Sequence, residues 1–172
     1  MILKEKVTIE VKLLTPDAKM PTKAHEHDSG YDVYALNDVL IPAKSSKNYK
    51  AVLIPTGVAF NTPDGYEWQV RPKSGLGTKT SARVVFGTGD GPYRGEYMVQ
   101  VDNYGHGFKQ ALMLDGKFTE KEYEEEGYVL VRKGDKIAQL VLAEVIPSSL
   151  KVVDTLTETE RNAGGFGSTG IL

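Results

Sequence analysis

Asp90, Tyr93 and Arg94 fall within five positions of one another in G-D-G-P-Y-R-G. An acid, a ring and a cation at that spacing suit a site that activates water beside a sugar, with the acid drawing off a proton. An Asp among glycines also makes an ordinary turn, which is the simpler account of Asp90 or of Asp32 (in D-S-G-Y-D-V) taken alone. Ser74-Gly75-Leu76-Gly77 and the C-terminal run carrying Gly164, Gly165, Gly167 and Gly170 could each present backbone N–H groups to phosphate. Neither has the Walker form and neither opens a helix by pattern, so a P-loop is not indicated. Together with Lys73, Lys79 and Arg161 they point to a polyphosphate ligand. His25 and His27 form an H-x-H pair with only Glu26 and Asp28 beside them, and a solvated loop explains them better than a metal site. Trp68, the only tryptophan, lies in an alternating pattern and is read as a packing residue.

Composition narrows the field. The chain has 172 residues, 40% hydrophobic and 26% charged, which is ordinary for one globular domain. Lys plus Arg number 21 against 23 Asp plus Glu, a formal charge of -2, so the basic footprint of a duplex-binding protein is absent. An anionic ligand would therefore need a local basic site, a metal ion, or both. There is no cysteine, which excludes disulfides, Cys-bearing zinc sites and thiol catalysis and fits a reducing compartment such as the cytoplasm. No apolar run reaches the roughly 20 residues of a membrane helix. The opening M-I-L-K-E-K-V-T-I-E-V-K-L-L breaks its apolar residues with Lys and Glu, so a signal peptide is not expected.

The elements that must position these residues read as short strands. With 18 glycines and eight prolines, turns are frequent. Strand patterns cover 7–14, 31–35, 39–41, 52–54, 58–60, 66–70, 83–86, 96–101, 128–132 and 137–145. Segments 83–86 and 96–101 flank a Gly-rich stretch and suggest a hairpin followed by a strand. No helical period stands out before residue 115. Thr119-Glu120-Lys121-Glu122 has the form of a capping box, which predicts a short exposed helix or ordered loop. Many short strands with turn signals suggest a sandwich, barrel or jelly roll, with no internal repeat and no second domain.

Five segments occur in order: A-H-E-H-D-S-G-Y-D-V-Y-A (24–35), R-P-K-S-G-L-G (71–77), G-T-G-D-G-P-Y-R-G-E (87–96), G-D-K-I-A-Q-L-V (134–141) and R-N-A-G-G-F-G-S-T-G (161–170). Their order and types resemble the trimeric dUTPase family over nearly the whole chain, and the spacing is like that of bacteriophage and prophage members. The resemblance implies an all-β jelly-roll barrel spanning 1–172, with an insert at about 104–127 and a glycine-rich C-terminal arm at about 155–172. It implies a homotrimer with shared active sites that hydrolyses dUTP to dUMP and pyrophosphate with Mg²⁺. That reaction limits uracil in DNA and supplies dUMP for dTMP synthesis. Asp90 matches the general base that activates water for attack on the α-phosphorus. Tyr93 matches the ring under deoxyribose that leaves no room for a 2′-OH. The hairpin with Val85, Gly87 and Gly89 would offer backbone groups to the uracil edge. Lys73, Ser74, Gly75 and Gln139 match phosphate contacts, and Asp32 would hold a water of the Mg²⁺ shell. From the arm, Phe166 would stack on uracil, Arg161 would clamp the γ-phosphate, and Gly167, Ser168 and Thr169 would complete the lid.

The chain departs from the family pattern at several points. Lys73 stands where Arg is common, retaining charge without the bidentate fork. Val84 occupies the place nearest a usual hairpin Asn, Gly89 replaces a usual Ile or Val before Asp90, and Asn162 replaces a usual Gly. Gly89 would loosen the base-reading hairpin. One rival reading, a dCTP deaminase, would want a second polar residue after Ser74 and a catalytic Glu, and Gly75 argues against it. Another is a regulatory protein-binding module. In the insert, Tyr104, Phe108, Phe118 and Tyr123 accompany five glutamates between Glu120 and Glu126, which suits either a recognition surface for a basic partner, a repressor protein by the phage resemblance, or rings packed onto the barrel with glutamates keeping the excursion soluble. Neither direct nucleic-acid binding nor membrane binding is expected, and a phage-encoded enzyme would work in the host cytoplasm.

Overall fold

The structure is a computed structural model and describes residues 6–163. Thirteen strands and one short helix make up the described chain, and they wrap as a jelly-roll barrel around one core. Strand β1 (Glu10–Leu13) pairs with β5 (Val58–Asn61). A second sheet has the order β2 (Gly30–Tyr34), β13 (Lys136–Glu144), β6 (Tyr66–Pro72), β8 (Gly87–Gly89). A third places β9 (Met98–Asn103) between β4 (Val52–Pro55) and β7 (Ala82–Val84). A fourth runs β11 (Phe118–Glu122), β10 (Gln110–Met113), β12 (Val129–Val131), β3 (Val39–Ile41). All pairings are antiparallel except β10 with β12.

Alternation along the strands drives this arrangement. In β6, Trp68 and Val70 turn inward while their neighbours face out, as a two-residue period requires. Trp68 packs against Phe60 at 4.7 Å and donates its Nε1–H to the Thr62 hydroxyl at 3.0 Å, so the packing role holds. β13 is apolar over most of its length because strands cover both its edges and the barrel covers one face. No helix among the described residues is long and apolar enough to cross a membrane.

Four expectations are corrected. Residues 119–122 form part of strand β11, not a helix. The Thr119 hydroxyl accepts from the Ala111 N–H and donates to the Lys121 carbonyl, so a cross-strand partner takes the oxygen a helix cap would have used. Ser74–Lys79 is a helix, α1, that the sequence pattern hides. Gly75 and Gly77 each weaken it by about 1 kcal/mol, and burial of Leu76 compensates. The segments flanking the Gly-rich stretch do pair antiparallel, β7 with β9, but the stretch between them is not a simple hairpin turn, because its strand β8 pairs with β6. Finally, the first strand covers only Glu10–Leu13 of the 7–14 pattern.

Asn103, fully buried at the end of β9, ties neighbouring segments of the barrel together. Its Nδ2 donates to the carbonyls of Ile41 at 3.0 Å and Gly127 at 2.8 Å. Its Oδ1 accepts from the Ser81 hydroxyl at 2.7 Å and the Gly105 N–H at 2.8 Å. Both amide donors and both acceptor positions are thereby filled. Gly127 sits at φ +77°, and a Cβ there would come within 2.8 Å of the Gly105 and His106 backbone, so glycine is required. Asn103→Ala strands these partners in a dry interior, and a loss of about 2–4 kcal/mol is expected, read as a lower urea midpoint at fixed protein concentration.

Candidate active site

A cleft of about 400 Å³ opens beside β8. One wall is the backbone of Val85 to Gly89, where β8 lies in register with β6, Gly87 opposite Val70 and Gly89 opposite Trp68. Glycines at 87 and 89 leave their peptide groups uncovered on this wall, between the side chains of Val85, Phe86 and Thr88. Asp90 and Tyr93 stand at its mouth, both exposed, and the turn between them is closed by the Tyr93 N–H donating to the Asp90 carbonyl at 3.0 Å. The Tyr93 hydroxyl donates to the Glu96 carbonyl at 3.1 Å, which fixes the ring. Arg94 folds back instead, donating to the carbonyls of Gly91 and Tyr93, so the cation of the acid–ring–cation trio braces the turn.

A second polar cluster forms where β2, β6 and β13 meet. Asp32, 3% exposed, faces Gln139 across the β2–β13 register. Its Oδ1 takes the Lys73 ammonium at 2.9 Å and its Oδ2 the Lys136 ammonium at 2.8 Å. Burial pushes the Asp32 carboxyl up, but the hydrogen bonds and charges of Lys136 and Lys73 outweigh it and hold the group below the ordinary Asp value. The hydrogen bond and charge of Asp32 in turn push Lys136 up. Ser74 and Gly75 begin α1 next to Lys73, and the Gln139 side chain lies over Gly30, where a Cβ would come within 3.0 Å of it.

The sequence-predicted residues thus separate into two groups. Val85, Gly87, Gly89, Asp90 and Tyr93 share the cleft, whereas none of Asp32, Lys73, Ser74, Gly75 or Gln139 lines it. Arg161 is described, exposed, and lies outside the cleft lining. Phe166, Gly167, Ser168 and Thr169 lie outside the described residues. Two residues escaped sequence reasoning. Lys136 is the second ammonium on Asp32, and its place in G-D-K-I-A-Q-L-V beside Gln139 was the available signal. Tyr97 lines the cleft beneath Gly89, and only its nearness to Y-R-G-E pointed there.

A family model described as dUTPase matches residues 16–109 and 124–170. The deoxyuridine 5′-triphosphate nucleotidohydrolase of Clostridium tetani is 37% identical over 166 residues, covering 95% of this chain and 97% of that protein. The counterpart from Paramecium bursaria Chlorella virus 1 is 34% identical over 161 residues, covering 94% and 96%. Among solved structures, a Staphylococcus bacteriophage 80alpha dUTPase variant with dUpNHpp superposes with a TM-score of 0.86 at 28% identity, covering 96% of this chain and all of that one. A dUTPase variant from phage phi11 of S. aureus, described with a structural Mg(II) ion, gives 0.76 at 27% identity, covering 87% and 98%. The family match omits 110–123, which contains strands β10 and β11.

The Asp32 pairing sets a pH dependence. Folding lowers the carboxyl's pKa, so its contribution is complete above the ordinary value of 3.8 and fades as pH falls below it. Asp32→Asn should be less stable than the native chain at pH 7 and lose less between about pH 4 and pH 2. Urea midpoints of the two proteins across that range check this, and parallel curves would contradict it.

Proposed function

The chain belongs to the dUTPase family and is a dUTP diphosphatase, and from that premise we propose that Asp90 is its general base and that each active site is shared between subunits of a homotrimer. The observation that carries the reading is the cleft itself, a wall of peptide groups with an exposed carboxylate and a fixed tyrosine ring at its mouth. The peptide wall of Val85, Gly87 and Gly89 suits the uracil edge, an alternating array of donors and acceptors. The Tyr93 ring takes deoxyribose and leaves no room for a 2′-hydroxyl. Asp90 draws a proton from a water that attacks the α-phosphorus. The bond from the α-phosphorus to the bridging oxygen breaks, and pyrophosphate leaves with dUMP remaining.

Lys73, Ser74, Gly75 and Gln139 are the phosphate-binding group. Their separation from the cleft supports a site completed by a neighbouring copy, with Arg161, Phe166, Gly167 and Ser168 arriving on the arm. Val145, Ile146, Leu150, Val152 and Leu156 follow β13 as exposed aliphatics, which fits a segment that crosses to another subunit.

No cluster of three or more His, Asp or Glu among the described residues could cage a metal. Both Asp32 oxygens already hold an ammonium, yet each carboxylate oxygen has a second lone pair. This donor set fits a Mg²⁺ that keeps its waters and rides on the triphosphate, with Asp32 accepting from one of those waters. When bound, the ion would neutralise charge on the phosphates. The chain's work would lie in the cytoplasm, the host's if phage-encoded.

The hairpin β10–β11 supports a second role beside catalysis. Its Ala111, Met113 and Thr119 are buried, but Phe108 and Phe118 meet edge to face at 5.0 Å and stay exposed. That pair is the best surface on 104–127 for a repressor protein. Phage 80alpha relatives are described as controlling transfer of virulence genes.

Asp90→Asn should retain dUMP binding while turnover falls about 10²- to 10⁴-fold. Near-normal turnover in a clean preparation removes Asp90 from the role. Refolding Asp90→Asn together with a Lys73→Met, Gln139→Ala double variant should restore part of the activity, because some mixed trimers then contain an intact cleft facing an intact phosphate group. Verified mixed trimers with no regained turnover would put both groups of a site in one subunit.

A further inference from the structure

Gly89 and Tyr97 occupy a single slot. A Cβ placed on Gly89 would lie 2.3 Å from Tyr97 Cε1 and 2.7 Å from its hydroxyl. The tyrosine therefore fills the volume that a side chain at 89 would claim, and Gly89 does not loosen the wall as the sequence suggested. The ring is held from both sides. It meets Phe60 edge-on at 5.0 Å and 88°, and Tyr93 at 5.5 Å and 65°. Its backbone is tied as well, the N–H donating to the Val58 carbonyl at 2.9 Å and the carbonyl accepting from the Thr56 hydroxyl.

The hydroxyl is the anomaly. Tyr97 is 5% exposed, and its oxygen finds no hydrogen-bond partner among the described residues. A phenol buried without a partner costs free energy that a phenylalanine would not. The residue lines the cleft, and its hydroxyl lies under Gly89, which carries no side chain. Burial, and then the charge of Asp90, push the phenol up to about 12, so it keeps its proton and can donate at neutral pH.

We propose that Tyr97 is a further specificity-determining residue, its hydroxyl donating to the sugar hydroxyl of the bound deoxynucleotide. The assignment rests on the nucleoside reading of the cleft given above. The sugar is favoured over the base because Tyr97 touches Tyr93 and lies under Gly89, the residue joining the peptide wall to Asp90. A site whose buried polar group waits for a substrate hydroxyl discriminates against analogues lacking it, since the group is then left unpaired.

The test is Tyr97→Phe in the full chain, which removes one oxygen and keeps the ring. Calorimetric titration with dUMP, and with 2′,3′-dideoxyuridine monophosphate, reads the effect without requiring hydrolysis. Affinity for dUMP should fall about 3- to 10-fold, and the dideoxy nucleotide should bind both proteins alike. Melting of the ligand-free variant should not fall, because no protein bond is lost. An unchanged affinity for dUMP, or an equal loss for both nucleotides, overturns the proposal. Failure of Asp90 as the base would appear in turnover alone and leave this binding comparison intact. As a control on the shared slot, Gly89→Val should lower the melting temperature, and adding Tyr97→Leu should recover it. A Gly89→Val chain as stable as the native one would show that the slot is not shared.

Discussion

A carboxylate cannot lie dry and unpaired, and much of this molecule is arranged around that constraint at Asp32. With 3% of its surface exposed, it needs counter-charge close at hand. One ammonium comes from Lys73 just past β6, the other from Lys136 at the start of β13. The two ion pairs therefore pin both strands to β2 at one level. That level is where α1 begins and where Gln139 faces Asp32, so one electrostatic requirement brings Lys73, Ser74, Gly75 and Gln139 to one place. Isolated ion pairs at a surface would contribute little, but here removal of one partner would leave buried charge behind.

Asn103 plays a corresponding part elsewhere in the barrel without charge. Its amide is saturated by four groups from separate segments, which fixes how β9, β3 and the loop at Gly127 meet. Residues outside the family match can be accommodated beside this anchor because they form a hairpin that extends an existing sheet edge. β10 pairs with β12, β11 covers β10, and Ala111 and Met113 add to the buried interior. None of these residues lines the cleft at β8.

The cleft shows how a glycine's consequences depend on what lies behind it. Read along the chain, glycine at 89 removes a side chain and suggests slack. In space, an aromatic ring from β7's partner region fills the vacated volume and brings a hydroxyl with it. Compensation of this kind links residues eight positions apart in sequence but stacked across the barrel wall.

What the sequence determined by itself was local chemistry and period. The alternation of 66–70, the turn glycines, the absence of cysteine and the five ordered segments were enough for an all-β barrel and a dUTP-hydrolysing family. Asp90 and Tyr93 share a turn because they are near neighbours in the chain, so their meeting was legible. The tertiary structure decided what depends on distant partners. Thr119 became part of a strand because Ala111 was there to use its hydroxyl, and α1 formed because Leu76 could be buried despite two glycines. Lys136 reached Asp32, and Tyr97 reached Gly89, only through strand pairing and packing. Short-range pattern encodes which faces turn inward; which groups then meet across the core is set by register and close packing, and no single segment contains that information.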